Sequence, residues 1–184
     1  MSTLMQARYI YGLGEGRTGR GNGLADSADW TRQTFPDVDV VINEYGDDVA
    51  RELRESAQRG IRLFFLAGHS FGGAAIIRAA KELEQELSIQ VAVLVDPVTN
   101  LLWGQTKASA WHVQDNILDA MCFYQRQSVF PVCSSMIRNL GPGRTNTLVD
   151  GLSRYEHCTI CKDERVHLHI SSQITKMHQR AIDG

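Results

Sequence analysis

The sequence predicts an α/β fold, a three-layer α/β/α sandwich around a mainly parallel central sheet, and three observations carry that expectation. Short apolar or β-branched runs recur at residues 7–11, 38–42, 61–67 and 91–95. Stretches with apolar residues at helical spacing lie between them, which implies parallel β-α-β crossovers and a sheet covered on both faces. The run Leu63-Phe64-Phe65-Leu66-Ala67 is almost continuously apolar, as a strand buried on both faces should be.

The elements follow in order. Residues 7–11 form a strand that exits into Gly12-Leu13-Gly14-Glu15-Gly16 and a polar, glycine-bearing loop to residue 23. Residues 26–35 offer a helix with Asp26 or Ser27 as N-cap, closed by Pro36. Val38 to Ile42 is β-branched and short, a second strand. Residues 47–59 carry Val49, Leu53 and Ala57 on one helical face, and Gly60 ends that helix. The strand 61–67 takes the sheet centre. Residues 74–87 form the next helix, with Lys81, Glu82, Glu84 and Glu86 largely on its polar side, and 91–95 the next buried strand. Beyond Pro97 the pattern weakens. Residues 100–128 mix Trp103, Trp111, Met121 and Phe123 with polar residues, giving loops, one helix near 115–125, and a possible cap or pocket-forming insertion over 98–140. Residues 139–147 read as a turn-rich connector, 153–159 as a strand and 171–182 as the closing helix.

At 184 residues and 43% hydrophobic content the chain fits a single domain, 1–184, with one sizeable core. Lys+Arg 19 against Asp+Glu 21, with no run of like charge, gives no footprint for nucleic acid. No stretch approaches the length of a membrane span and residues 1–6 lack a basic n-region, so a soluble, cytoplasmic chain is expected. Four cysteines do not make a disulfide scaffold in a chain of this length. Cys122 and Cys133 are expected to be buried small hydrophobes.

Gly68-His69-Ser70-Phe71-Gly72 puts a G-x-S-x-G sequence between a predicted strand and a predicted helix, the context that gives the motif its meaning. Ser70 must sit on a tight turn that lifts its hydroxyl out of the sheet. Glycines two residues to either side remove Cβ atoms that would collide with the adjoining elements. The helix start also directs N–H groups and a positive dipole end toward a developing oxyanion, making the Phe71 N–H a first donor.

On these residues the chain resembles the α/β-hydrolase superfamily, over most of its length from Tyr9 to about Ile182. The resemblance implies a minimal α/β-hydrolase fold and a small serine esterase or lipase, cleaving a carboxylic ester or thioester of a small molecule without a cofactor. It also implies a second oxyanion donor from the loop after an early strand, often His-Gly-x; Tyr11-Gly12-Leu13 occupies that place, which makes the Leu13 N–H the matching donor. Tyr11 departs from the family's histidine.

A serine hydroxyl needs an imidazole to take its proton and a carboxylate to hold that imidazole, in the chain order Ser, acid, His. Asp96, ending the strand Val91-Ala92-Val93-Leu94-Val95 ahead of Pro97, falls at the same sheet edge as Ser70. Pancreatic-type lipases resemble this chain in carrying their acid in such an Asp-Pro. Asp150 and Asp163 are the alternative acids. His69 is turned away by the elbow. Val166-His167-Leu168-His169-Ile170 precedes the expected closing helix, and family members often show His-x-x-Ile there, which matches from His167. His167 is therefore the expected base and His169 the alternative. As a strand, this segment would direct both histidines to one side.

Two readings from other classes stand beside the hydrolase. One is a non-catalytic protein that keeps the elbow and binds a ligand. The other is a zinc-bearing interaction module built on Cys158, Cys161, His167 and His169, although their spacing does not match the common finger pattern.

Overall fold

The computed structural model describes residues 4–12, 23–44, 46–98, 113–123, 146–149 and 159–183. Six strands form one sheet in the order β2-β1-β3-β4-β5-β6: β1 Met5–Ile10, β2 Asp39–Asn43, β3 Leu63–His69, β4 Ile89–Val95, β5 Ile117–Phe123 and β6 Asn146–Val149. Every neighbouring pair is parallel. Helices α1 Gly23–Thr34, α2 Val49–Gln58, α3 Phe71–Glu82 and α4 Glu164–Asp183 complete it, with α2 beside α3 and α1 beside α4.

Alternation along the central strands divides the core in two. Phe64 and Leu66 join Leu53, Ile76, Ala80 and Leu83 on the α2/α3 side. Phe65 and Ala67 join Leu24, Val166, Ile170 and Ile174 on the α1/α4 side. Both faces of β3 are thus buried, which is why its sequence runs apolar without alternating. The three-layer parallel sandwich is the predicted architecture.

Several boundaries move. α1 begins at Gly23 rather than at Asp26. A Cβ on Gly23 would lie 1.7 Å from the Cys161 carbonyl oxygen, so the helix start is set by close packing against a distant segment. α2 is capped by Asp48, whose side chain accepts from the Arg51 N–H at 3.0 Å, and is followed by Gly60 at φ 103, as expected of a glycine stop. α3 starts at Phe71, directly after the elbow serine.

Two elements differ in kind. The helix expected near 115–125 is β5. Its local sequence does not decide between the two states, and the open edge of β4 does. Ile89 N–H donates to Asn116 O at 2.8 Å to begin the ladder, and the Asn116 amide is fixed by Ala80 O at 3.0 Å and Leu87 O at 2.9 Å. Phe123 and Met121 serve the α1/α4 core, and Cys122 is buried and free. The closing helix begins at Glu164, so 164–170 is helical and not the segment before a helix. The edge strand described is β6 at 146–149, overlapping the expected connector. Residues 153–158 of the expected strand and most of the 98–140 insertion, with Trp103, Trp111 and Cys133, lie outside the described residues.

Candidate functional site

The site begins where β3 ends. Ser70 adopts φ 55, ψ −122 between β3 and α3. Among the described residues only Ser70 and Asp96 are non-glycines with positive φ. Such backbone costs roughly 1–3 kcal/mol per residue and persists where the surroundings impose it, often at functional sites. The elbow is held from both sides: Ser70 N–H donates to Val95 O, and Val98 N–H donates to Ser70 O, each at 3.0 Å. A Cβ on Gly68 would lie 2.6 Å from the Gly72 carbonyl carbon, and one on Gly72 would lie 2.0 Å from Ile10 O. The two glycines of the motif are therefore required by close approach. The N–H of Phe71 stands at the first position of α3, the positive end of that helix.

The end of β1 closes over the serine. A Cβ on Gly12 would come within 2.7 Å of Ser70 Cβ and 3.2 Å of Ser70 Oγ, so the backbone at Gly12 passes directly against the Ser70 side chain. Tyr11 is buried and its N–H donates to Asn43 O at 3.0 Å. Leu13 lies outside the described residues.

Asp96 follows β4 as Ser70 follows β3. His69 and Val95 are register partners, so the next residues, Ser70 and Asp96, emerge abreast at the carboxyl edge of the sheet. Asp96 is fully buried at φ 39, a backbone that aspartate tolerates better than most residues. Its N–H donates to Phe123 O at 2.7 Å. Pro97 closes against Gly73, where an added Cβ would sit 2.7 Å from Pro97 Cβ. Of the alternative acids, Asp163 is buried at the start of α4 and engaged by Arg165, whose N–H and guanidinium bond it at 2.8, 3.0 and 2.9 Å. Asp150 lies outside the described residues. No Asp or Glu occurs between residues 124 and 149, so a strand-end acid on the C-terminal side of β5 is missing until Asp150.

The two favoured histidines do not share a face. In α4, residues two apart diverge by about 200°, not the common direction a strand would give. His167 Nδ1 lies 2.7 Å from Ser27 Oγ of α1. That ring nitrogen is the one a triad carboxylate must hold. His169 packs its ring edgewise on Phe123, centroids 5.7 Å apart, and its buried Nε2 has no hydrogen-bond partner among the described residues. Burial lowers the pKa of both imidazoles, against the pull of Asp26 and Asp163 on His167 and of Asp119 on His169. His69 is fully buried and His178 bonds the Asp37 carboxylate at 2.9 Å. The divergence of His167 and His169 also separates two ligands of the zinc reading; Cys161 is a buried free thiol, and Cys158 lies outside the described residues.

Sequence reasoning passed over one histidine. His157-Cys158-Thr159-Ile160 repeats the His-x-x-Ile spacing ten residues earlier, and its Ile160 is fully buried in the α1/α4 core just ahead of α4. His157 lies outside the described residues; the anchoring isoleucine was the available signal. Away from the elbow, a cleft of about 250 Å³ opens beside the α1/α4 contact, lined by Ser27, Trp30, His167 and Leu168 among others. Neither Ser70, Gly12 nor Asp96 lines it. Among the described residues no helix is long and apolar enough to cross a membrane.

Comparison with known proteins agrees with this geometry. The family described as "Alpha/beta hydrolase family" matches residues 12–155. No curated protein matches by sequence. Among solved structures, Est1E from Butyrivibrio proteoclasticus is similar with a TM-score of 0.61 at 16% identity, covering 96% of this chain and 89% of that one. A predicted CIB-like hydrolase from Thermoplasma acidophilum gives 0.55 at 15% identity, covering 94% and 87%. At these identities the structural likeness speaks to the fold, while the family match takes in most of the chain, including the elbow and the aspartate beside it: the chain belongs to the alpha/beta hydrolase family.

Proposed function

We propose that this chain is a serine hydrolase that cleaves a carboxylic ester or thioester through an acyl-enzyme on Ser70. The observation that carries the reading is the pair of left-handed residues, Ser70 and Asp96, abreast at the carboxyl edge of adjacent parallel strands. Ser70 Oγ attacks the carbonyl carbon while a histidine takes its proton, and Asp96 holds that imidazole in the required tautomer. The oxyanion that forms accepts from the N–H groups of Phe71 and Leu13, each donor supplying roughly 3–4 kcal/mol of transition-state stabilisation. The histidine returns its proton to the departing alcohol or thiol, and water resolves the acyl-enzyme. No cofactor enters these steps.

His157 is assigned as the base in place of His167 or His169. It follows Ser70 and Asp96 in the order the family uses, and it precedes a buried isoleucine at the spacing that anchors such a loop. His167 Nδ1, the atom a triad carboxylate would hold, is instead at hydrogen-bond distance from Ser27, and His169 packs its ring on Phe123.

The test is a series of p-nitrophenyl esters of rising acyl length, run beside Ser70→Ala and beside labelling with a fluorophosphonate. Hydrolysis and labelling that both vanish in Ser70→Ala support the reading. An ester rate unchanged by Ser70→Ala removes its foundation, and a wild-type chain that neither hydrolyses nor labels points to the non-catalytic binding protein instead.

A further inference from the structure

Arg8 sits in the middle of β1, only 2% exposed, where the hydrophobic pattern would place an aliphatic residue. Its guanidinium is fully engaged: Nη1 donates to Glu52 Oε2 at 2.6 Å and to Asn43 Oδ1 at 2.9 Å, Nε to Gln6 Oε1 at 2.6 Å, and Nη2 to Ser56 Oγ at 3.1 Å. Asn43 in turn donates to Glu52 Oε2 at 2.8 Å and to Asp47 Oδ2 at 3.2 Å. Desolvation pulls the arginine pKa down against the raising effect of Glu52. Apolar replacement of such a buried pair is often neutral or stabilising, so stability alone does not account for it.

The network ends at the site. Asn43 is the last residue of β2, and its carbonyl accepts the Tyr11 N–H at 3.0 Å. Tyr11 leads into Gly12, whose backbone lies against Ser70 Cβ and Oγ, and Ile10 O touches Gly72 on the other flank of the elbow. A side-chain cluster joining β1, β2 and α2 therefore sets where the β1 end meets the nucleophile.

We propose that Asn43, clamped by Arg8 and Glu52, is a positioning residue that fixes Tyr11 and Gly12 against Ser70, and with them the backbone entering the oxyanion loop. This rests on the serine hydrolase reading above. Displacements of this kind act on the transition state more than on substrate binding. Asn43→Ala is expected to lower kcat about ten-fold with KM within about two-fold, and to weaken inhibition by a trifluoromethyl ketone, whose adduct oxygen needs the oxyanion donors, about ten-fold. The double variant Arg8→Met/Glu52→Leu, which leaves no unpaired buried charge, is expected to fold and to show the same split; it decides the matter if Asn43→Ala does not fold. Unchanged kcat and ketone affinity in a folded variant, with Ser70→Ala inactive, overturn the positioning role alone. Activity surviving in Ser70→Ala would instead remove the underlying hydrolase reading.

Discussion

The molecule holds two serines in opposite circumstances. Ser27 has an imidazole at hydrogen-bond distance, His167 Nδ1 at 2.7 Å, yet it lies inside α1, 3% exposed. A helix interior directs its N–H groups along its own axis and offers no donors to a tetrahedral oxyanion. Ser70 stands on positive φ at a helix start, with the Gly12 backbone against it and Asp96 abreast. The two serines therefore differ in the backbone around them, and only Ser70 has the helix-start setting that an oxyanion requires. On the proposed reading the carboxyl edge of β3 and β4 carries the reaction and the α1/α4 seam does not.

Ser70→Ala should lower ester hydrolysis by about 10⁴-fold or more, while Ser27→Ala should change kcat by less than about two-fold and cost about 1 kcal/mol of stability for the lost hydrogen bond. Steady-state kinetics and urea unfolding on both variants measure this. Equal kinetic losses would erase the distinction drawn between the two regions. The histidines sharpen it next: His157→Ala should approach the Ser70→Ala loss, whereas His167→Ala should leave the rate near wild type. The reverse result would return the base to α4. Asp96→Asn follows, with a fall of about 10³- to 10⁴-fold in kcat and near-native folding; a rate within ten-fold of wild type would move the acid elsewhere, Asp150 first.

How much of this was legible depended on where the cause lay. Gly68, Ser70 and Gly72 could be read because a five-residue turn states its own steric demands, and the apolar run 63–67 because burial on both faces leaves no room for alternation. The identity of β5 could not, since Ile117 to Phe123 becomes a strand through the edge of β4 and the Asn116 clasp. The start of α4 was hidden for a similar reason. Asp163 and Arg165 look like ordinary surface charges in the sequence, but in the fold Asp163 is buried and caps the helix seven residues ahead of the expected start. With that start, His167 and His169 lie within α4 rather than on the loop expected before it. Arg8 was likewise illegible as a network centre, because its partners Asn43, Glu52 and Ser56 lie on other elements.

The smallest effect expected is the pH response of the α1/α4 seam. His167 and His169 are both half-buried with pKa values lowered from the ordinary 6.5, chiefly by desolvation. Around His167 stand Asp26 and Asp163, and around His169 stand Asp119 and Lys176. Below pH 6.5 the unfolded chain binds protons that the folded chain resists, so stability falls as pH drops through this range and is fully present above it. Replacing the rings by neutral amides, His167→Gln with His169→Gln, removes the proton uptake without adding charge. Urea midpoints measured at pH 7.5 and 5.0 should separate less in the double variant than in the wild type. An undiminished separation would show that these two imidazoles do not carry the acid sensitivity, and Asp37, held below the usual carboxylate range by His178, would not account for it either, since its contribution is lost only at more acid pH.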